Sequence, residues 1–302
     1  MTDLSRNAVN VPEMKLFAGE KLLVFTSLIG FALSVGIAVY IGLFGSIMLP
    51  EGNVEKAFSF NAALAVFILS IAAILPLSGL SPRKRAGFRW FYMISSLYAY
   101  GIETIQHFRG INPRFSKVGT AADAIANGLF GLVAILLVIG SALLAVAYFR
   151  CRQSHERPLL VLGIRYGFLS TMLAFAAGIW MIAIQSRYTG EAGNLIVLHG
   201  LGFHALQVLP LLGWVQERTA GIEERRARRM IHAGSNAWMV SILLIGVQTA
   251  LGRTVFEWTA LPVAASVLLF VSAAVVVLAA IELRKMKKED LHRVRGYAIN
   301  KL

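Results

Sequence analysis

The stretch 88–108, FRWFYMISSLYAYGIETIQHF, has the length of a membrane-spanning helix but carries polar side chains along one side. Ser96, Tyr100, Glu103 and His107 are spaced four, three and four residues apart, which places all four on one face of an α-helix. A carboxylate and an imidazole are costly inside a bilayer, and they normally face a protein interior or a water-filled cavity. The stretch therefore predicts a buried polar site on a membrane helix.

The rest of the chain has the composition of a polytopic membrane protein. Of its 302 residues, 57% are hydrophobic and only 15% are charged, against about 25% charged in soluble domains. A membrane span needs about 20 mostly apolar residues, and eight segments meet that requirement: 22–48, 60–80, 88–108, 121–149, 159–184, 195–215, 231–251 and 259–282. The predicted fold class is therefore an all-α polytopic membrane protein with eight transmembrane helices.

Positive charge is distributed unevenly between the loops. All but six of the 29 Lys and Arg residues fall in the N-terminus, the segments 81–89, 150–165 and 216–229, and the C-terminus. These segments alternate with four poor ones, whose cations are Lys56, Arg109, Arg114, Lys117, Arg187 and Arg253. The positive-inside rule then predicts a plasma-membrane protein with both termini in the cytoplasm. The basic patches are expected to touch anionic lipid headgroups, and nucleic acid is not an expected partner.

Short strings recur in the two parts of the chain in the same order. ILPLSG (74–79) matches VLPLLG (208–213), and GIET (101–104) matches GVQT (246–249). These matches predict two parallel four-helix halves related by a pseudo-two-fold axis along the membrane normal. Aligned in this way, Ser70 is opposite His204 and Glu103 is opposite Gln248. The predicted organisation is one integral membrane domain over 1–302, with a cytoplasmic N-terminus (1–21), the halves 22–149 and 159–282, and a basic cytoplasmic tail (283–302).

The unusual polar residues are predicted to gather toward the outer side of the membrane. Helix three runs outward, so Glu103 and His107 lie in its last two turns. Helix six runs inward, so His199 and His204 lie about 6 Å and about 13 Å below its outer end at a rise of 1.5 Å per residue. Helices three, four, six and seven are thus expected to build one site, which also includes Asp123, Gln207 and Gln248.

The loop between helices three and four, RGINPRFSK (109–117), breaks the charge rule by placing three cations outside. One interpretation is an anionic ligand such as a phosphate, a carboxylate or haem propionates, for which Arg109 and Arg114 offer bidentate guanidinium groups. The alternative is that these cations pair with Asp123, Glu103 and lipid headgroups.

Helix six carries two histidines in the segment HGLGFHALQ (199–207). His204 and Gln207 share a face, but His199 and His204 are five residues apart and converge only across a π-bulge. Together with His107 they are the candidate metal ligands. One of the pair is expected to serve the site while the other bonds a neighbouring helix.

Besides metal-free chemistry on a lipid-like substrate, three kinds of function fit these residues. In the first, His107, His199 and His204 bind a metal ion, or two of them bind a b-type haem, and Glu103 and Asp123 act catalytically in redox or metal-assisted chemistry on a membrane-soluble or periplasmic substrate. Tyr100, Arg109, Arg114, Gln207 and Gln248 then contact the cofactor. In the second, the protein is a proton-coupled transporter of a small solute. In the third, the polar contacts only hold the helices together.

Eight helices in two halves, with VQTALG (247–252) at the outer end of helix seven, resemble the heme A synthases. Those enzymes carry a Leu-Gln-x-x-x-Gly stretch there and place haem-ligating histidines on helices two, four, six and eight. This resemblance implies a haem function. The chain departs from the pattern because it has histidine only on helix six of those four, and because it lacks the outer cysteine pair.

Overall fold

The computed structural model describes residues 17–114, 116–150, 157–219 and 224–299, with side chains as far as Lys288 except Lys287. Eight long helices dominate this part of the chain: α1 (Lys21–Phe44), α2 (Val54–Ile74), α3 (Pro82–Phe108), α4 (Ala121–Arg150), α5 (Pro158–Ile184), α6 (Leu195–Glu217), α7 (Glu224–Ala250) and α8 (Ala260–Ile299). A single 3₁₀ turn, Leu75–Leu77, extends α2. The fold is all-α, as the sequence predicts.

Seven of the eight helices are long and apolar enough to cross a membrane. The exception is α3, which has the length of a span but begins with a basic turn and carries the polar stripe of the opening stretch. The protein is therefore a multi-pass helical membrane protein.

Two short β-hairpins, which the sequence analysis did not predict, connect helices at one end of the bundle. The first pairs β1 (Ile47–Met48) with β2 (Gly52–Asn53), and the second pairs β3 (Tyr188–Thr189) with β4 (Gly193–Asn194). The side chains of Asn53 and Asn194 then cap α2 and α6 by accepting a backbone N–H two residues on. We call this end of the molecule the hairpin end and the other the basic end.

The hairpins correct several predicted boundaries. Helix α1 ends at Phe44 rather than at residue 48, because Gly45 adopts a φ of 84° and starts the first hairpin. Helix α2 begins at Val54, six residues before the predicted start, because the Asn53 cap lets the charged pair Glu55 and Lys56 occupy its first turn. At the other terminus α8 continues beyond the predicted span as far as Ile299.

Each hairpin is held by an equivalent backbone hydrogen bond to a glycine that follows a later helix. The N–H of Glu51 donates to the carbonyl of Gly110 just after α3, and the N–H of Ala192 donates to the carbonyl of Gly252 just after α7, each at 2.9 Å. Gly110 and Gly252 both have a positive φ, 78° and 75°. The two hairpins therefore lie in matching local structures.

These contacts give a correspondence between the two parts of the chain that differs from the predicted one. The backbone carbonyls of Gln106 and Gln248 each accept the N–H of the residue five positions later. The side-chain amide of each also donates to a carboxylate, that of Gln106 to Asp123 at 3.2 Å and that of Gln248 to Glu257 at 3.3 Å. Gln248 thus matches Gln106 and not Glu103. The match of GIET with GVQT pairs Gln248 with Glu103, which lies three residues before the glutamine that shares its backbone contacts.

The proline alignment is displaced in the same way. The matched caps Asn53 and Asn194 set the starts of α2 and α6. Pro76 lies 22 residues after the start of α2, whereas Pro210 lies only 15 residues after the start of α6. Pro76 therefore lies in the terminal 3₁₀ turn, whereas Pro210 lies inside its helix. Ser70 and His204 are accordingly not counterparts.

The largest core cluster lies where the two parts of the chain meet. Its fully buried members come from α1 to α6 and include Leu23, Ile68, Ile71, Tyr92, Leu144, Tyr148, Ile164, Phe168 and Leu206. Aromatic rings bridge the centre, since Phe67 of α2 packs edge-on against both Phe175 of α5 and Phe203 of α6. This packing fixes α3 beside α2 with its polar face inward.

Candidate functional site

The polar face of α3 is buried completely. Ser96, Glu103 and His107 have no exposed surface, and Tyr100 is 1% exposed. Because these four residues recur every three or four positions, one helix face carries a column of polar side chains toward the hairpin end. We call these four residues the α3 column.

Glu103 is the ionisable centre of the α3 column. Its Oε1 lies 2.9 Å from Arg114 Nη1 and 3.3 Å from His107 Nε2. The Arg114 contact is an ion pair without the geometry of a directed hydrogen bond, and Oε2 has no partner among the described residues. A carboxylate with no exposure is thus balanced by one guanidinium and keeps hydrogen-bonding capacity unused.

The imidazole of His107 is oriented by the first hairpin. Its Nδ1 accepts the backbone N–H of Asn53 at 3.2 Å. A ring nitrogen that accepts a hydrogen bond carries no proton, so the neutral ring has its proton on Nε2. Nε2 lies 3.3 Å from Glu103 Oε1 but makes no hydrogen bond among the described residues. The hairpin therefore sets the tautomer of the histidine that faces the carboxylate.

Arg114 closes the site from the loop after α3. Its guanidinium lies between two aromatic rings, 5.2 Å from the centroid of Phe60 and 5.6 Å from that of Phe130. Its side chain remains 33% exposed while Glu103 is fully buried. Arg114 is thus the group that links the buried carboxylate to the surface of the hairpin end.

The loop that carries Arg114 is fastened to the first hairpin by Glu51. The carboxylate of Glu51 accepts hydrogen bonds from the Ser116 hydroxyl at 2.7 Å and from the backbone N–H of Lys117 at 2.9 Å. These bonds stabilise the charged form, so they hold the pKa of Glu51 below its usual value. Of the three loop cations, Lys117 therefore contributes a backbone contact here.

The inner part of the α3 column contains hydroxyl groups with no partner among the residues described. The Tyr100 hydroxyl and Ser96 Oγ are both buried and make no hydrogen bond there. Tyr100 packs on Gly30 of α1, where an added Cβ would lie 2.5 Å from the phenol oxygen. Unsatisfied buried hydroxyls are uncommon in native structures, so these two groups keep hydrogen-bonding capacity that the described residues do not use.

A second polar group lies at the start of α4 and has a structural role. Arg109 pairs with Asp123 as well as bonding Gln106, and Asp123 also accepts from the N–H and hydroxyl of Thr120 at 2.9 Å and 2.8 Å. Asp123 is thereby saturated with donors. The pairing of Arg109 with Asp123 and of Arg114 with Glu103 matches the internal-pairing interpretation of the loop cations.

The residues predicted to complete the site from the second half have hydrogen-bond partners other than Glu103. Gln248 donates to the carbonyl of Thr254 and to Glu257 at the hairpin end of α7. His199 Nδ1 lies 2.7 Å from the carbonyl of Ala174 on α5, although its ring is within electrostatic range of Arg114. Neither side chain makes a hydrogen bond to Glu103, and a single site that includes them stays a prediction.

His204 and Gln207 form a third separate group. The Gln207 amide lies 2.7 Å from Ser70 Oγ on α2 and 3.2 Å from His204 Nδ1, so it joins the two in either orientation of the amide. Helix α6 is α-helical throughout, with no π-bulge, and His199 and His204 accordingly face different neighbours. Ser70 was singled out by the repeat alignment, yet it meets this group by direct contact between helices.

The three predicted metal ligands do not gather. Within the described ranges, no three His, Cys, Asp or Glu side chains are close enough together to hold a metal ion. His107 Nδ1 accepts from Asn53 and its Nε2 lies 3.3 Å from Glu103, His199 turns to α5, and His204 turns to Gln207. The geometry thus gives the metal and haem interpretation no support.

Sequence reasoning missed the residues that support Glu103 from other elements. Phe60 and Phe130 are ordinary apolar residues of α2 and α4, and the Asn53 contact comes from the backbone. No spacing in the sequence marks such contacts. Gln106, however, shares a helix with the α3 column and follows a recognisable Glu-x-x-Gln spacing.

No known family model matches this chain, and no curated protein or solved structure shows significant similarity to it. The resemblance to the heme A synthases rests on the quoted residues alone.

Proposed function

We propose that the protein is a transporter in which Glu103 exchanges a proton as a small solute crosses the plasma membrane. The observation that carries the proposal is the burial of the Glu103 carboxylate beside one partly exposed cation, with its second oxygen unpartnered among the described residues. Ionisable groups in this position within membrane proteins mark proton and ion pathways.

Charge balance explains how proton and solute binding are linked. With Glu103 ionised, Arg114 charged and His107 neutral, the site carries no net charge. When Glu103 takes up a proton, Arg114 loses its counter-ion. Its guanidinium is then free to bind an anionic group of a solute that enters from the hairpin end. Binding of each species therefore favours binding of the other, as linkage requires.

The proposed arrangement in the membrane follows from the charge distribution. Eight spans, with α3 as the least apolar, place both termini in the cytoplasm and the hairpin end outside. The matching hairpins and glutamine contacts support two related four-helix halves. The basic segments at the other end then lie at the level of anionic headgroups.

Transport is tested in liposomes that contain a pH-sensitive dye. A panel of amino acids, sugars and carboxylates is added outside, and the internal pH is followed. We expect one class of solute to drive proton entry through the natural protein and Glu103→Gln to abolish it without loss of folded protein. Glu55→Gln, which removes an exposed carboxylate at the start of α2, is the matched control and should transport normally.

Cofactor binding and a purely structural role are the alternatives. An absorption spectrum with a Soret band, or a metal present in stoichiometric amount, would favour redox or metal-assisted chemistry. If no solute drives proton entry, no cofactor is bound, and His107→Ala and His204→Ala lower thermal stability, the contacts only hold helices together.

A further inference from the structure

The polar side chains of Ser70 and Gln207 lie in a groove between α2 and α6. The groove has a volume of about 320 Å³ and runs from Ser70 and Gln207 toward Trp214. Its other walls are apolar, with Leu69 and Ala73 on the α2 side and Leu206 and Leu211 on the α6 side. No charged side chain lines it within the described part of the chain.

The polar end of this groove lies deep in the membrane. Gln207 is twelve residues after the start of α6, which corresponds to about 18 Å along a helix of about 34 Å. His204 is exposed on the surface of α6, as is Leu211 two turns further on. In a membrane-embedded helix an exposed side chain at that depth meets lipid rather than water.

The imidazole of His204 retains hydrogen-bonding capacity on that surface. Its Nδ1 is occupied by the Gln207 amide, and Nε2 makes no hydrogen bond to the described residues. The indole N–H of Trp214, farther along the groove, is likewise buried without a partner among them. A polar group exposed to hydrocarbon costs free energy that a ligand able to hydrogen-bond with it recovers.

We infer that this groove binds a membrane-soluble molecule with a neutral, hydrogen-bonding head and a long apolar chain. The absence of charge from the described lining and the depth of His204 disfavour a charged phospholipid headgroup. A carbonyl or hydroxyl group suits Gln207 in the groove and Nε2 of His204, which adjoins Gln207 on the exposed face of α6, and an aliphatic chain suits the leucine walls. Quinones and long-chain alcohols share this chemistry.

The test uses the fluorescence of Trp214 in protein reconstituted in nanodiscs. Decylubiquinone is titrated as a quencher, and the Trp214 signal is the difference between the natural protein and Trp214→Phe. We expect saturable quenching whose apparent Kd rises about tenfold in His204→Leu and in Gln207→Leu, since each loses one hydrogen bond. His232→Leu, which removes an exposed histidine on α7, is the matched control and should bind normally.

A further variant and a competition distinguish the outcomes. Ala73→Phe fills the groove without touching its polar groups and should also remove saturable quenching. Dodecanol that restores the fluorescence shows that the site accepts alcohols, and no effect of dodecanol restricts it to quinones. Linear quenching that is equal in all variants, displacement of the quinone by phosphatidylglycerol, or a cross-linked second copy over His204 would overturn the inference.

Discussion

Glu103 shows how far a single residue can be interpreted from sequence. Its spacing from Tyr100 and His107 predicts a shared face, and the structure buries that face. The sequence identifies its main counter-ion, Arg114, only as a cation in the loop after helix three and does not indicate which carboxylate it pairs with. Periodicity assigns a residue to a helix face, whereas the choice between Asp123 and Glu103 as partner of Arg114 depends on the path of a loop, which periodicity does not describe.

The ion pair of Glu103 and Arg114 yields a prediction about stability. Arg114→Gln leaves the buried carboxylate without its cation and should destabilise the protein by about 1–3 kcal/mol, below the usual cost because Arg114 is partly exposed. The double variant Glu103→Gln/Arg114→Gln should regain most of that loss. Thermal unfolding in detergent measures both, and additive losses in the double variant would refute the pairing.

At the scale of elements, helices were predicted well and hairpins were missed. Helices α4 and α5 differ from their predicted bounds by one residue at an end, because long apolar runs specify them directly. Each hairpin strand has only two residues, too few for an alternating pattern to be visible. The asparagine caps at residues 53 and 194 are the local feature from which the helix starts follow.

The glycine contacts that fasten the first hairpin should be essential to it. Gly110 combines a φ of 78° with an approach that would place a Cβ 2.0 Å from the carbonyl oxygen of Leu49. Gly110→Ala should therefore cost about 2 kcal/mol or more. Gly101→Ala is the control on α3, where a Cβ meets nothing within 4 Å, and it should be neutral or slightly stabilising. Equal unfolding temperatures for the two variants would contradict the account.

At the scale of the whole molecule, one composite site across both halves was predicted, and its predicted members make their hydrogen bonds within different groups of residues. The depth of a residue in the membrane follows from the direction of its helix and the rise per residue. The sequence therefore predicts how far along the bundle His199 and Gln248 lie. Their direction around each helix axis depends on which helices are neighbours. Residue spacing does not indicate which helices are neighbours. In the structure His199 contacts Ala174 of α5, and Gln248 donates to the carbonyl of Thr254.

We propose that α3 spans the membrane despite its charged first turn, and this can be measured directly. In a Cys151→Ser background, Ser81→Cys precedes α3 and Val118→Cys follows it. An impermeant maleimide should label Val118→Cys in intact spheroplasts, and Ser81→Cys only after lysis. Labelling of both from the same side would show that α3 does not cross the membrane.

The central claim, that Glu103 exchanges a proton, is tested most directly by infrared difference spectroscopy of the protein in bilayers. As the pH is lowered, the natural protein and Glu55→Gln should both show the carbonyl stretch of a newly protonated buried carboxyl group, and Glu103→Gln should lack it. If the spectra of the natural protein and Glu103→Gln superimpose at every pH, Glu103 does not change its protonation and the account is contradicted.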